Sequence, residues 1–165
     1  MSDQPRLAVS DPASAEDLAA ARRLCQDYAE SLGFSLSFDG FDEEMASFPA
    51  PFAPPGGALL LARLDGRPVG LIALRPLGRG AAELKRMYVA PVARGLGLGR
   101  MLAEAVIDRA AEMGHHTVRL DTLPSMDRAI ALFRTLGFVD DAAGGPSLVD
   151  GAVFLELSLK EPLAA

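Results

Sequence analysis

The chain predicts an α/β (α+β) fold: one mixed, mostly antiparallel sheet of six to seven strands with helices on both faces. Three observations carry this. Strand-like and helix-like runs follow one another in the order β-α-(α)-β-β-β-α-β-α-β. The three middle strands follow each other as a meander, whereas the later ones are separated by helices, so the sheet is mixed. The 165 residues show no internal repeat and no second boundary, and one domain over 1–165 is long enough to bury a full core.

Taken in order, Arg6-Leu7-Ala8-Val9 reads as a first strand and Asp11-Pro12-Ala13 as a turn. Ser14 with Asp17 resembles an N-capping pair. Leu18, Ala21, Leu24, Cys25, Tyr28 and Leu32 then recur at helical spacing up to Gly33. Residues 34–56 are irregular apart from a helical turn at Asp42–Ser47, and they are rich in phenylalanine. Two strands, Ala58–Leu64 and Pro68–Leu74, are joined by Asp65-Gly66, a strong hairpin signal. A third runs from Ala81 to Val89 and ends at Pro91. A helix follows from Gly97 to Met113, with Leu98, Met101, Leu102, Ala105, Val106 and Ala110 on its apolar face. Thr117–Leu120 is a strand, Ser125 is placed to cap a helix closed by Gly137, and Ala152–Leu159 is the last strand.

Composition narrows the function. Half the residues are hydrophobic and the net charge is −6, which argues against non-specific nucleic-acid binding. The single cysteine, Cys25, excludes an internal disulfide and a cysteine-built zinc site, and His115-His116 has no partners at metal-ligand spacing. No apolar run is long enough to span a bilayer, and the first residues lack the layout of a signal peptide, so a cytoplasmic protein is expected. Against the acidic whole, Arg75, Arg79, Lys85, Arg86, Arg94 and Arg100 crowd into one segment with only Glu83 opposing them. An anionic ligand held there is expected.

That segment contains Arg94-Gly95-Leu96-Gly97-Leu98-Gly99-Arg100, between a strand and a helix. Glycines at alternate positions clear side chains from the loop, so backbone N–H groups and the helix dipole can meet an anion. The spacing is G-x-G-x-G, after a meander, which departs from the dinucleotide fingerprint G-x-G-x-x-G at the start of a βαβ unit. A P-loop is disfavoured as well, because Arg100-Met101 stands where Lys-Ser or Lys-Thr is needed.

The pattern R/Q-x-x-G-x-G/A is met by Arg94, Gly97 and Gly99, directly after a strand ending Val89-Ala90-Pro91. Together with Glu83-Leu84-Lys85-Arg86-Met87-Tyr88-Val89-Ala90-Pro91 and Ala129–Phe138, this resembles the GNAT superfamily of N-acetyltransferases over nearly the whole chain. The resemblance implies acetyl transfer from acetyl-CoA to a primary amine, by direct attack in a ternary complex. It places the pyrophosphate on Arg94, Gly95, Leu96, Gly97, Leu98, Gly99 and Arg100, and the pantetheine along the backbone of Met87, Tyr88 and Val89. Glu83 is the candidate base, with pairing to an arginine or recognition of a cationic acceptor as its other readings. Strand alternation puts Glu83, Lys85, Met87 and Val89 on one face, and Leu84, Arg86 and Tyr88 on the other.

Where the family often carries a tyrosine acid this chain has Phe133, which has no proton to give, and Met126 stands for a common asparagine. Either the acid comes from elsewhere, with Tyr88 the candidate, or the thiolate leaves into water unaided. The same loss keeps a catalytically degenerate acyl-CoA sensor or interaction module as the alternative function. The resemblance assigns acceptor choice to roughly Tyr28–Phe52 and to the loop Asp140–Gly151. Phe34, Phe38, Phe41 and Phe48 line an acceptor pocket or, the favoured reading, pack helices on the sheet. Sheet-edge pairing into a homodimer is compatible with the fold, and no metal is implied.

Overall fold

The computed structural model describes residues 4–33, 40–123, 125–141 and 151–159. The elements are β1 (Leu7–Ser10), α1 (Ala15–Ser31), α2 (Phe41–Ser47), β2 (Ala58–Leu64), β3 (Arg67–Gly78), β4 (Ala81–Val89), α3 (Leu98–Glu112), β5 (Thr117–Thr122), α4 (Asp127–Thr135), β6 (Val139–Asp140) and β7 (Val153–Ser158). Short 3₁₀ turns occupy Ala50–Phe52 and Pro91–Ala93. The strands form one seven-stranded sheet in the order β1-β2-β3-β4-β5-β7-β6. Among the described residues only β4 and β5 run parallel; every other pair is antiparallel.

Each central strand alternates between two cores. Leu60, Ala62, Ile72, Leu74, Ala82 and Leu84 meet Leu98, Leu102 and Val106 of α3 and Phe133 of α4. On the opposite face Leu59, Leu61, Leu71 and Ala73 meet Ala21, Leu24 and Cys25 of α1 and Met45 of α2. Both faces are therefore covered, and the middle strands read as continuous apolar runs for that reason.

Several local signals act as read. Ser14 Oγ accepts the Asp17 backbone N–H at 3.1 Å, while the Asp17 carboxylate accepts the Ala13 N–H at 2.8 Å. The Asp65-Gly66 turn has positive φ at both residues, 49° and 82°, as a tight hairpin of matching twist requires. Phe41 and Phe48 pack into the α1-side core with Phe52, as favoured; Phe34 and Phe38 lie outside the described residues.

Four expectations need correcting. The first strand of the meander's second hairpin is longer than Pro68–Leu74: β3 continues to Gly78 by pairing Arg75 with Glu83 and Pro76 with Ala82. Ser125 does not cap α4; Met126 holds that position without a side-chain cap bond. A short β6, which nothing in its two residues signals, forms because β7 offers an edge at Leu155 and Glu156. Most consequential is a β-bulge in β4. Leu71 faces Tyr88 and Ala73 faces Lys85, so a single residue of β3 stands against two of β4. Arg86 adopts φ 61° there. The extra residue flips the alternation: Leu84 packs on the α3 side, and so do Met87 and Val89, while Tyr88 joins the α1-side core. Glu83 and Lys85 therefore do not share a face with Met87 and Val89.

Candidate active site

β4 and β5 are paired only from Ala81 to Glu83. Beyond that register a cleft of about 670 Å³ is walled by Met87, Tyr88 and Val89 of β4 and by Ser125–Ala129 and Leu132 around the start of α4. Gly70 lets β3 close up behind this stretch: a Cβ there would lie 2.7 Å from the Tyr88 carbonyl oxygen. Ala90 N–H still bonds Val69 O at 2.8 Å, and Pro91 then turns the chain into the glycine loop.

The far end of the cleft is the start of α3. Gly97 occupies the N-cap position at φ 88°, no side chain caps the helix, and its first turn holds no acidic residue. The leading N–H groups and the positive end of the helix dipole are thus left for an anion. Gly95, Gly97, Leu98 and Gly99 line the cleft together with Ala93 and Arg94. Gly95 and Gly97 are explained by their positive φ. Gly99 is not: its φ is ordinary and a Cβ would meet no atom within 4 Å. What its missing side chain leaves room for lies outside the protein. An anionic cofactor phosphate fits this cradle.

The remaining predicted residues divide. Leu96 is exposed and off the cleft wall. Arg100 is also off the wall, its Nε bonded to Glu104 at 2.7 Å and its Nη1 to Thr135 Oγ1 at 3.4 Å. Arg94 is on the wall but donates its Nε to Val89 O at 2.9 Å and lies over the Tyr88 ring, 5.7 Å from its centroid. Glu83 is not among the lining residues. Its carboxylate meets Arg75 at 3.0 Å and Lys85 at 3.4 Å, and it stands roughly 13 Å along the strand from Met87. Phe133 is buried in edge contact with Phe138 at 5.2 Å, which is the core role expected of it. Met126, read as core, is on the wall, with its sulfur accepting from Thr122 Oγ1 at 3.3 Å.

Two further contributors come from the Tyr28–Phe52 stretch to which the resemblance assigned acceptor choice, and a third, Arg128, escaped the sequence reading. Tyr28 and Ser31 bring the last turns of α1 to the cleft, and the Tyr28 ring meets Tyr88 edge-on at 6.2 Å. For Tyr28 the available signal was a tyrosine within an otherwise apolar helical stripe, since its hydroxyl needs a polar outlet. Arg128 lines the cleft from α4, four residues and one helical turn before the lining residue Leu132.

Behind the cleft, on the α1 side, Arg86 and Glu44 form a buried two-pronged pair at 2.9 and 3.2 Å, with Phe41 stacked 5.4 Å from the guanidinium. The thiol of Cys25 is pushed up to about 12, first by burial and then by the Glu44 carboxylate. Among the described residues no group of three His, Cys, Asp or Glu is arranged to hold a metal, and no helix is long and apolar enough to cross a membrane.

Residues 21–138 match the family model of the acetyltransferase (GNAT) family. The chain belongs to that family. It is 32% identical over 148 residues to an uncharacterized N-acetyltransferase of Schizosaccharomyces pombe, covering 88% of this chain and 91% of that protein. It is 39% identical over 113 residues to the IAA acetyltransferase of Azospirillum brasilense, covering 67% of this chain and 71% of the other. Among solved structures, yncA of Salmonella typhimurium, a putative acetyltransferase with its cofactor acetyl-CoA, shares the fold with a TM-score of 0.71 at 22% identity, covering 96% of each chain. The GNAT family and these acetyltransferase relatives by sequence make this chain an acetyltransferase.

Proposed function

We propose that this GNAT protein transfers the acetyl group of acetyl-CoA to a primary amine of a small molecule, an amino acid derivative or a protein, by direct attack in a ternary complex. The observation that carries the reading is the uncapped, glycine-built start of α3 at one end of a cleft whose other wall is the parted strand β4. The phosphates go to the N–H groups at Gly97–Arg100, and the pantetheine amides to the backbone of Met87, Tyr88 and Val89. The thioester supplies an activated acyl carbon. As the amine forms its C–N bond and the C–S bond breaks, one proton must leave the nitrogen and one must reach the sulfur. Tyr88, a cleft-wall phenol one residue from both Met87 and Val89, gives the second in this reading. Glu83, behind the wall and held by Arg75 and Lys85, takes the first through water.

Release of free thiol from acetyl-CoA, followed across a panel of primary amines, tests the reading. Amine-dependent release is expected. Tight CoA binding without release on any amine would replace the enzyme by an acyl-CoA sensor, and failure to bind CoA would remove both.

A further inference from the structure

The cationic side chains around the cleft are unequally committed. Arg94 spends its Nε on Val89 O and its face on Tyr88, and Arg100 is turned away to Glu104 and Thr135. Arg128 is different. It is exposed on the cleft wall in the first turn of α4, and it has no ion-pair or hydrogen-bond partner among the described residues. With Arg94 it outweighs Asp127, the one acid among the described lining residues, so that part of the wall carries two cations against one anion. Phosphate recognition by the start of α3 rests on backbone N–H groups and answers one anionic group. A CoA donor carries two, a pyrophosphate and a 3′-phosphate, and the second needs a cation that is not already spent. A guanidinium matches it because its planar fork of donors fits a phosphate in two-pronged fashion.

We infer that Arg128 is a donor-binding residue that takes a phosphate of the CoA nucleotide. The inference rests on the reading of this cleft as an acetyl-CoA site. Calorimetric titration of the whole protein with CoA and with 3′-dephospho-CoA, for the wild type, Arg128→Ala and Arg128→Lys, tests it without any acceptor. If the 3′-phosphate is the ligand, Arg128→Ala weakens CoA about tenfold, leaves dephospho-CoA unchanged, and so erases the preference between them. If it is the pyrophosphate, both nucleotides weaken alike, while competition by phosphate-free pantetheine is unaltered. In either case Arg128→Lys recovers part of the loss, and the loss shrinks as salt is raised. Because the side chain is exposed, the melting temperature of the free protein stays at the wild-type value. Unchanged affinity of Arg128→Ala for both nucleotides overturns the inference and leaves the acetyl-CoA reading standing. A wild type that binds neither nucleotide overturns both.

Discussion

The two sides of β4 are built in opposite ways. On the α3 side, the anion cradle is made of backbone and of side chains that are missing: a Cβ placed at Gly97 or Gly99 meets nothing within 4 Å. On the α1 side, the strand is held by side chains that no isolated strand would want buried, Arg86 and Glu44, whose side chains are only 5% and 9% exposed. The first region gives up little packing to be there. The second is wired into stability, because two desolvated charges are tolerable only while each holds the other. Substitution should therefore separate binding from folding on one side and entangle them on the other.

The largest effect is expected where charge is buried. Arg86→Met strands the Glu44 carboxylate beneath α2, and urea unfolding should show a loss of about 3–5 kcal/mol. The double variant Glu44→Leu/Arg86→Met removes both charges and should recover most of that loss. If the single variant is as stable as the wild type, the pair is solvated and the contrast fails. On the other side, Gly99→Glu should weaken CoA by about a hundredfold, because the new carboxylate enters an anion site at a helix start. Its unfolding midpoint should stay at the wild-type value, since the side chain finds open space. Gly97→Glu serves less well, as its φ of 88° adds backbone strain to the electrostatic effect.

A comparable effect, about a hundredfold on turnover, is expected at the two groups assigned to proton movement. Tyr88→Phe should lower the rate of thiol release while CoA affinity holds. Glu83→Gln should do the same. Unaltered turnover would leave Glu83 as the partner of Arg75 and Lys85 and nothing more.

The same contrast explains what could be read from the sequence. Asp65-Gly66 and the glycine loop announce themselves because their conformations demand particular residues at particular places, and the demand is local. The bulge at Arg86 demands nothing visible. An arginine at φ 61° is held there by Glu44 and Phe41, more than forty residues away in the chain, so Glu83–Val89 looks like a regular strand. Alternation counted through it assigns Glu83 to the wrong face. Arg128 was hidden for the related reason that it belongs to an ordinary amphipathic helix, and only the packing of α4 beside β4 turns it toward the cleft.

The last expected effect lies at Cys25 and is confined to alkaline pH, and it reads the desolvation of the α1 side without disturbing the ion pair. Burial and the nearby Glu44 raise the folded thiol from 9.0 to about 12. Below pH 9 both folded and unfolded chains keep the proton, so the thiol contributes no pH dependence. Between about 9 and 12 the unfolded chain loses its proton first and binds fewer than the folded one, so unfolding becomes easier as pH rises, by up to about 1.4 kcal/mol per pH unit. Cys25→Ala should remove that share of the alkaline slope, measured as the difference between the two proteins' urea midpoints across this range. The same burial should keep the wild-type thiol from reacting with a disulfide reagent at pH 8 until the protein is unfolded. Parallel stability curves together with a thiol that reacts in the native protein would mean that water reaches the layer beneath α1 and α2. The Glu44–Arg86 pair would then sit in a wet environment, and the cost expected for Arg86→Met would shrink with it.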